Sequence, residues 1–345
     1  MLAAVLEAVE DLQLRDVPTP RAKPGQVVVR VEACGICQTD YSAFTGRRMN
    51  WEPPMIMGHE MAGVIHEVGE EVTGWAVGDK VIISPVITCG KCRWCRLGMS
   101  NHCRDGIVLG GDGQDTVWDG GFAQYIAVPA QVLFRKPEDV SFPAAALTEP
   151  LAGSYKGMIE YSQLRLGEDV VIIGAGAIGL LLAQVAMAGG AGRCLVIDLE
   201  EPRLQKALEL GVDFAINAKS EKARERVYEL LENGPDIVFE AAGTLPAAQL
   251  AFELVREATR VNMFGVITPG EIMVSPMRIH WLETRMDASF SITPRVMEKA
   301  LKLLRTGKVD TEAIITHEFP LAEIQEAMAA MERPERIKIV IRPWD

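Results

Sequence analysis

The sequence predicts an α/β protein in two parts: a mostly β, barrel-like first part, then a doubly wound parallel sheet. Three observations carry this expectation. From Leu2 to about Ala146, short and partly alternating apolar runs stand between Gly, Pro and Asp turn residues. From about Glu149, unalternating apolar runs take turns with helical stretches, as in a parallel sheet covered on both faces. At 345 residues the chain is long enough for two cores of ordinary size.

In the first part the clearest strands are GQVVVRVEA (Gly25–Ala33), AGVIHEVG (Ala62–Gly69) and GDKVIISP (Gly78–Pro85). In the second part VVIIG (Val170–Gly174) precedes a helix from about Ala177, and CLVID (Cys194–Asp198) precedes the helix EPRLQKALELG. FAIN follows, then DIVFEAAG (Asp236–Gly243), a helix from about Pro246, and TRVNMFG (Thr259–Gly265). After about Phe290 a helix over Arg295–Thr306 leads to a terminal helix and the strand IKIVI. Beyond the βα rhythm there is no internal repeat, and there is no low-complexity tract.

Apolar residues make up 48% and charged residues 24%, the composition of a folded globular chain. The net charge of −12 leaves no basic face to grip phosphates, so no nucleic-acid partner is expected. Val170 to Gly192 is apolar enough to span a bilayer, with Gln184 its single strongly polar residue, but six glycines break it into strand, turn and buried helix. No membrane partner is expected. Glu7, Glu10 and Asp11 interrupt the N-terminal apolar stretch and no basic region precedes it, so no export is expected. A cytoplasmic, reducing location follows, in which seven cysteines do not read as a disulfide framework.

Gly174, Gly176 and Gly179, with Ala175, Ala177 and Ile178 between them, form a G-x-G-x-x-G pattern after a strand and at the start of a helix. The first glycine permits the tight turn, the second lets the backbone approach a pyrophosphate, and the third lets helix and strand pack closely. Asp198 ends the next strand, nineteen residues past Gly179, where a carboxylate can accept bonds from both ribose hydroxyls. It would repel a 2′-phosphate, and Leu199-Glu200-Glu201 offers no basic compensation, so the predicted cofactor is NAD rather than NADP. Arg203 either lies over the adenine side or faces solvent.

Cys89, Cys92, Cys95 and Cys103 are spaced C-x2-C-x2-C-x7-C. Four thiolates close tetrahedrally around zinc and leave no open position, which makes a structural site. Lys91, Arg93 and Arg96 offset part of its negative charge. An iron–sulfur run would have three residues before its last cysteine and usually Pro after it; here there are seven, and Arg104. A second constellation combines Cys37 with His59 and Glu60, a thiolate, an imidazole and a carboxylate suited to a catalytic zinc with an open position. A further ligand must come from elsewhere, and Glu149 in LTEP is the best candidate.

At this point the sequence resembles the zinc-dependent medium-chain alcohol and polyol dehydrogenases over nearly its whole length. The matching pieces are CGICQTD, GHEMAGVIHEVGEEVTGWAVGDKV, the four-cysteine lobe, GGFAQY, LTEPLAG, GAGAIGLL and Asp198, in the family's order and spacing. The resemblance implies a GroES-like β-barrel catalytic domain (residues 1–150, with the zinc lobe at about 88–104), a Rossmann domain (151–290) and a segment returning to the catalytic domain (291–345). It implies two zinc ions per subunit, NAD, and an active site in the cleft. Cys37, His59 and either Glu60 or Glu149 would hold the catalytic zinc. A carboxylate at Glu149 looks like the sorbitol and threonine dehydrogenase branch. Thr39 matches the hydroxyl that passes on the substrate proton, and Asp40 the carboxylate that orients the ligand sphere. One departure stands out: threonine dehydrogenases carry a histidine three residues past Thr39, where this chain has Ser42.

The expected reaction is reversible oxidation of a secondary alcohol, or one hydroxyl of a polyol, with threonine-like amino alcohols or an anionic alcohol as alternatives. Phe44, Arg47, Arg48 and Trp51 fall where such pockets are lined; the two arginines could meet an anionic group, though a solvated basic loop is the plainer reading. Lys156 could add to such a site. A zinc-free reductase is disfavoured by the joint presence of Cys37, His59, Glu60 and Glu149, and a non-enzymatic scaffold by the acidic balance and the short, isolated cysteine lobe. Family analogy suggests a homodimer or homotetramer.

Overall fold

The computed structural model describes residues 1–47, 51, 53–111, 118–267 and 270–345. The long strand Gln26–Ile36 is the axis of a seven-stranded sheet. Glu60–Val68 runs antiparallel along one of its edges and is followed outward by Lys80–Ile83 and Leu133–Arg135. The other edge is shared: Tyr125–Pro129 pairs with Gln26 to Arg30, and the distant Lys338–Arg342 with Cys34 to Ile36. Ile315–Pro320 then adds in parallel to Lys338–Arg342. Leu2–Ala8, Asp11–Asp16 and Met55–Ile56 make a small second sheet. Between the two, Leu6, Leu12, Met57, Met61, Ile65 and Phe122 are fully buried, the apolar burial that holds a β layer together.

The second part is a six-stranded parallel sheet. Its order is Phe214–Asn217, Cys194–Asp198, Val170–Ile173, Ile237–Glu240, Arg260–Met263, Arg285–Ala288. Read in chain sequence this is 3-2-1-4-5-6, the doubly wound order, which opens a crevice between its first and fourth strands. Every residue of Val170–Ile173 is buried, which explains why the run VVII shows no alternation. The helix Ala177–Ala188 covers it and is buried on nearly every face, Leu180 to Ala186 being inaccessible. The bilayer-length apolar segment is thus a central strand, a turn and a core helix. Among the described residues no helix is long and apolar enough to cross a membrane.

Most expected elements appear within a residue or two, including the helices Glu201–Glu209, Leu245–Glu253 and Pro294–Arg305. Two strands escape the sequence reading. Arg285–Ala288 is an edge strand of sequence RMDA, mostly exposed, with no apolar run to announce it. Ile315–Pro320 alternates weakly and ends in proline. The four-cysteine segment is bracketed by a two-stranded ribbon, Val86–Ile87 with Ile107–Val108, which brings the ends of the lobe together.

Candidate active site and metal centres

The strand Gln26–Ile36 stops one residue short of Cys37, which caps the helix Gln38–Phe44. Asp40, in the first turn of that helix, returns its Oδ2 to the Cys37 amide at 2.8 Å, so the cap is held from both sides. The Cys37 thiol donates to the Thr39 hydroxyl at 3.4 Å. Asp40 is wholly buried; its Oδ1 accepts from the Gly58 amide at 3.3 Å and faces His59 Nδ1 at 3.4 Å. One carboxylate therefore orients the cysteine's backbone and the histidine's ring, leaving Nε2 for another partner. Burial alone would lower the His59 pKa, but Asp40 and Cys37 outweigh it and hold the pKa well above 6.5.

His59 leads directly into the strand Glu60–Val68, antiparallel to the one that delivers Cys37. The donor atoms of Cys37, His59 and Glu60 lie within 4.8 Å of one another. Glu60 has a partner that the sequence did not disclose. Lys338, from the far end of the chain, places its ammonium 2.6 Å from Glu60 Oε1 and 2.5 Å from Oε2, and donates to the Ile36 carbonyl at 2.9 Å. Gly35 makes room for this pair, since a Cβ there would stand 2.1 Å from Glu60 Oε2. Glu149 sits in the first turn of Thr148–Tyr155, within electrostatic reach of His59, Glu60 and Lys338; burial pushes its carboxyl up to about 7. It is near the three-residue cluster without being part of it.

The other cluster is the cysteine lobe. Sulfur separations are 3.5 Å (Cys92–Cys95), 3.5 Å (Cys89–Cys103) and 3.9 Å (Cys92–Cys103). Ligands about 2.3 Å from a tetrahedral zinc must stand about 3.8 Å apart, so the sulfurs already have the spacing of a zinc cage. They are far too distant for disulfides, and all seven cysteines are free thiols. Backbone amides of Cys89 and Cys92 donate to the sulfurs of Cys103 and Cys89, each at 3.3 Å. Hydrogen bonding from the Cys95 backbone pulls the Cys92 thiol down to about 6, whereas burial pushes Cys103 up to about 12.

The glycine turn fits a dinucleotide. Gly174 has φ +110° and a Cβ on it would meet Ala242 N at 2.8 Å; a Cβ on Gly179 would meet Gly174 O at 1.7 Å. Gly176 caps the helix Ala177–Ala188, and nothing lies within 4 Å of its Cβ position. Two of the three glycines are thus demanded by the turn and by packing, and the middle one leaves open space where a pyrophosphate approaches the helix N-terminus. Asp198 Oδ2 accepts from the Ala175 amide at 2.5 Å, and Oδ1 from the Leu199 and Glu200 amides at 2.7 and 2.9 Å. Those bonds aim the carboxylate at the end of the strand, beside the glycine turn.

A barrel-end Cys–His–Glu cluster, a separate four-cysteine cage and a doubly wound sheet with this turn occur here in one chain. Residues 23–138 match the alcohol dehydrogenase GroES-like domain family, and residues 177–306 match the zinc-binding dehydrogenase family. The sorbitol dehydrogenase of Halalkalibacterium halodurans is 34% identical over 336 residues, covering 96% of each chain. This chain belongs to the zinc-binding alcohol dehydrogenase family. The enzyme is a zinc- and NAD-dependent dehydrogenase. It is also 31% identical to the L-threonine 3-dehydrogenase of Yersinia pestis, over 99% of this chain and 98% of the relative. A solved zinc-binding dehydrogenase of Sinorhizobium meliloti, bound to NADP, superimposes with a TM-score of 0.93 at 29% identity, covering 99% of both chains.

Among the expected pocket residues, Trp51 is buried, Phe44 is partly buried and Arg47 is exposed; Arg48 lies outside the described residues. Ser42 sits on the helix Gln38–Phe44, one turn after Thr39. Arg203 is partly buried, and its Nε has no hydrogen-bond partner among the described residues. Arg336 was missed by the sequence reading. Burial first and the Arg203 charge second bring its guanidinium down to about 10, with Cys37 within the same electrostatic reach and acting the other way; its Nε has no hydrogen-bond partner among the described residues. Lys338 was missed too. Its one signal is a lysine inside the apolar strand IKIVI, a position that is costly unless a carboxylate waits there.

Proposed function

We propose that the enzyme oxidises a secondary alcohol, or one hydroxyl of a polyol, to the carbonyl compound, with NAD⁺ reduced to NADH and one proton released. The observation that carries this reading is the gathering of Cys37, His59 and Glu60 at the ends of two adjacent barrel strands. Bound zinc supplies Lewis-acid polarisation of the substrate hydroxyl, and NAD⁺ supplies the hydride acceptor. Cys37, His59 and Glu149 are the resting zinc ligands in this reading. Glu60 is the exchangeable one, because both its oxygens are engaged by Lys338. Asp40 holds the His59 ring and the Cys37 backbone in register. Thr39, beside the Cys37 sulfur, takes the hydroxyl proton and passes it on. Cys89, Cys92, Cys95 and Cys103 hold the second, structural zinc.

The cofactor is bound by the Gly174–Gly179 turn, with Ala175, Ala177 and Ile178 offering backbone amides to the pyrophosphate and Asp198 accepting from the adenosine ribose. Asp198 favours NAD in this chain, whatever the cofactor of its structural relatives. Arg203 and Arg336 supply positive charge to the phosphates. Ser42 cannot hold a proton as an imidazole does, which favours polyols over threonine. The decisive experiment is a panel of polyols, simple secondary alcohols and threonine, scored by NADH absorbance. Turnover of polyols or simple secondary alcohols supports the proposal; turnover of threonine alone would overturn the preference for polyols, and turnover of none of them would overturn the proposal itself.

Residues 1–150 with 291–345 form the catalytic unit in this reading, and 151–290 the nucleotide unit. Seven free thiols suit the cytoplasm. The assembly is a homodimer. Val266, Met273, Met277, Trp281, Met286 and Phe290 are all exposed apolar residues, in the stretch of chain that leads into and out of the open edge strand Arg285–Ala288. Antiparallel pairing of that strand with a second copy about Met286 sets Arg285 opposite Asp287 in both directions.

A further inference from the structure

Glu240 ends the fourth strand of the parallel sheet in chain order, Ile237–Glu240, where the crevice beside the first strand opens. It is 0% exposed, and among the described residues no cationic side chain pairs with it. Its carboxylate turns back onto its own chain instead. Oε1 accepts from the Ala242 amide at 2.9 Å and from the Gly243 amide at 2.7 Å. Oε2 is buried with no hydrogen-bond partner among the described residues, and it lies against Gly265, where a Cβ would stand 2.4 Å from it. The Glu240 carbonyl accepts from the Phe264 and Gly265 amides at 3.0 and 2.9 Å. One residue thus holds two strand-end turns, residues 241–243 and the turn that follows Arg260–Met263. The first of these also packs on the glycine turn, since a Cβ on Gly174 would meet Ala242 N at 2.8 Å.

Burying a carboxylate without a counter-ion is costly, and amide hydrogen bonds recover only part of that cost. Burial pushes the Glu240 carboxyl up, opposed by the amides of Gly243, Ala242, Thr244 and Gly265. What such a group secures is a pair of turns whose amides cannot move without stranding its charge. In a sheet of order 3-2-1-4-5-6 a dinucleotide lies across the first strand. Given the dinucleotide reading of the glycine turn, on which this assignment rests, Asp198 on the second strand takes the adenosine side. The nicotinamide side then falls on the ends of the fourth and fifth strands, which are the turns that Glu240 holds. We propose that Glu240 is a positioning residue for the nicotinamide half of the cofactor: buried beneath the two turns on which that half rests, it fixes them without touching cofactor or substrate.

The test compares NADH with ADP-ribose, which lacks the nicotinamide, by isothermal titration calorimetry on the zinc-loaded enzyme. In Glu240→Gln, which keeps shape and removes the charge, NADH should bind about tenfold more weakly while ADP-ribose stays within about twofold of the wild type. A loss confined to NADH is what a merely structural role would not produce. Glu240→Asp, which keeps the charge and draws the carboxylate back by one methylene, should show the same split, and it decides alone if Glu240→Gln folds poorly. If neither ligand saturates the wild type, the dinucleotide site is overturned and this role with it. If the wild type binds both, equal losses of the two ligands or unchanged affinities in the folded variants would overturn the role of Glu240 and leave the dinucleotide site standing.

Discussion

Lys338 carries an ammonium that is 3% exposed against a Glu60 that is 1% exposed, 278 residues away in the chain. Removing one member of such a pair strands the other's charge in the interior. Lys338→Met should therefore cost about 3–5 kcal/mol, read from urea denaturation. The two acidic candidates separate by metal content: Glu149→Gln should lose the catalytic zinc and most activity, while Glu60→Gln should keep the metal. Equal metal in both would reverse the assignment. Lys156 gives a pH signature. Its folded pKa is depressed to about 8 from 10.5, so between these values the unfolded chain binds the extra proton. In phosphate-free buffer the wild type should gain up to about 1.4 kcal/mol per pH unit over Lys156→Met as pH rises from 8, and that gain is lost as pH falls back through 8. Cys37, His59 and Asp198 were legible from sequence because their side-chain chemistry and their place at strand ends announce a role. Lys338 and Arg336 were not, and Lys156, singled out as a possible addition to the substrate pocket, instead donates to the Phe290 and Ser291 carbonyls. A lysine or arginine becomes informative only when its burial and its long-range partner are known.

At the scale of elements, spacing was the most legible signal. The four cysteines lie within fifteen residues, and the ribbon Val86–Ile87 with Ile107–Val108 closes the loop that carries them, so local sequence determines their meeting. The glycine turn was legible for the same reason. The edge strand Arg285–Ala288 was not, because its pairing is decided by the neighbouring strand Arg260–Met263 rather than by its own residues. The lobe has its own prediction. Cys103→Ser should remove one zinc per subunit by elemental analysis and lower the melting temperature, with kcat for the preferred alcohol changed less than tenfold at low temperature. A thousandfold loss of kcat would mean that the lobe takes part in the chemistry.

Taken whole, the molecule exposes its large apolar side chains unevenly. Met273 is 91% and Trp281 73% exposed, both in the stretch of chain leading into the edge strand Arg285–Ala288. Trp281→Asp with Met286→Lys should shift sedimentation from dimer to monomer; an unchanged sedimentation coefficient would place the contact elsewhere. The doubly wound order was legible from the βα rhythm, whereas the return of 291–345 to the first part was expected only from the family resemblance and not from the residues of IKIVI themselves. That return depends on Lys338–Arg342 pairing with a strand near the start of the chain. The ribosome delivers Lys338 only 302 residues after Ile36, whose carbonyl it will hold. Until then the emerging protein keeps Glu60 without its counter-charge and the central strand with a bare flank. The nucleotide-binding sheet can finish folding on the way out, whereas the metal-bearing half must wait, exposed to chaperones and to stray metal ions, for a strand made long after it.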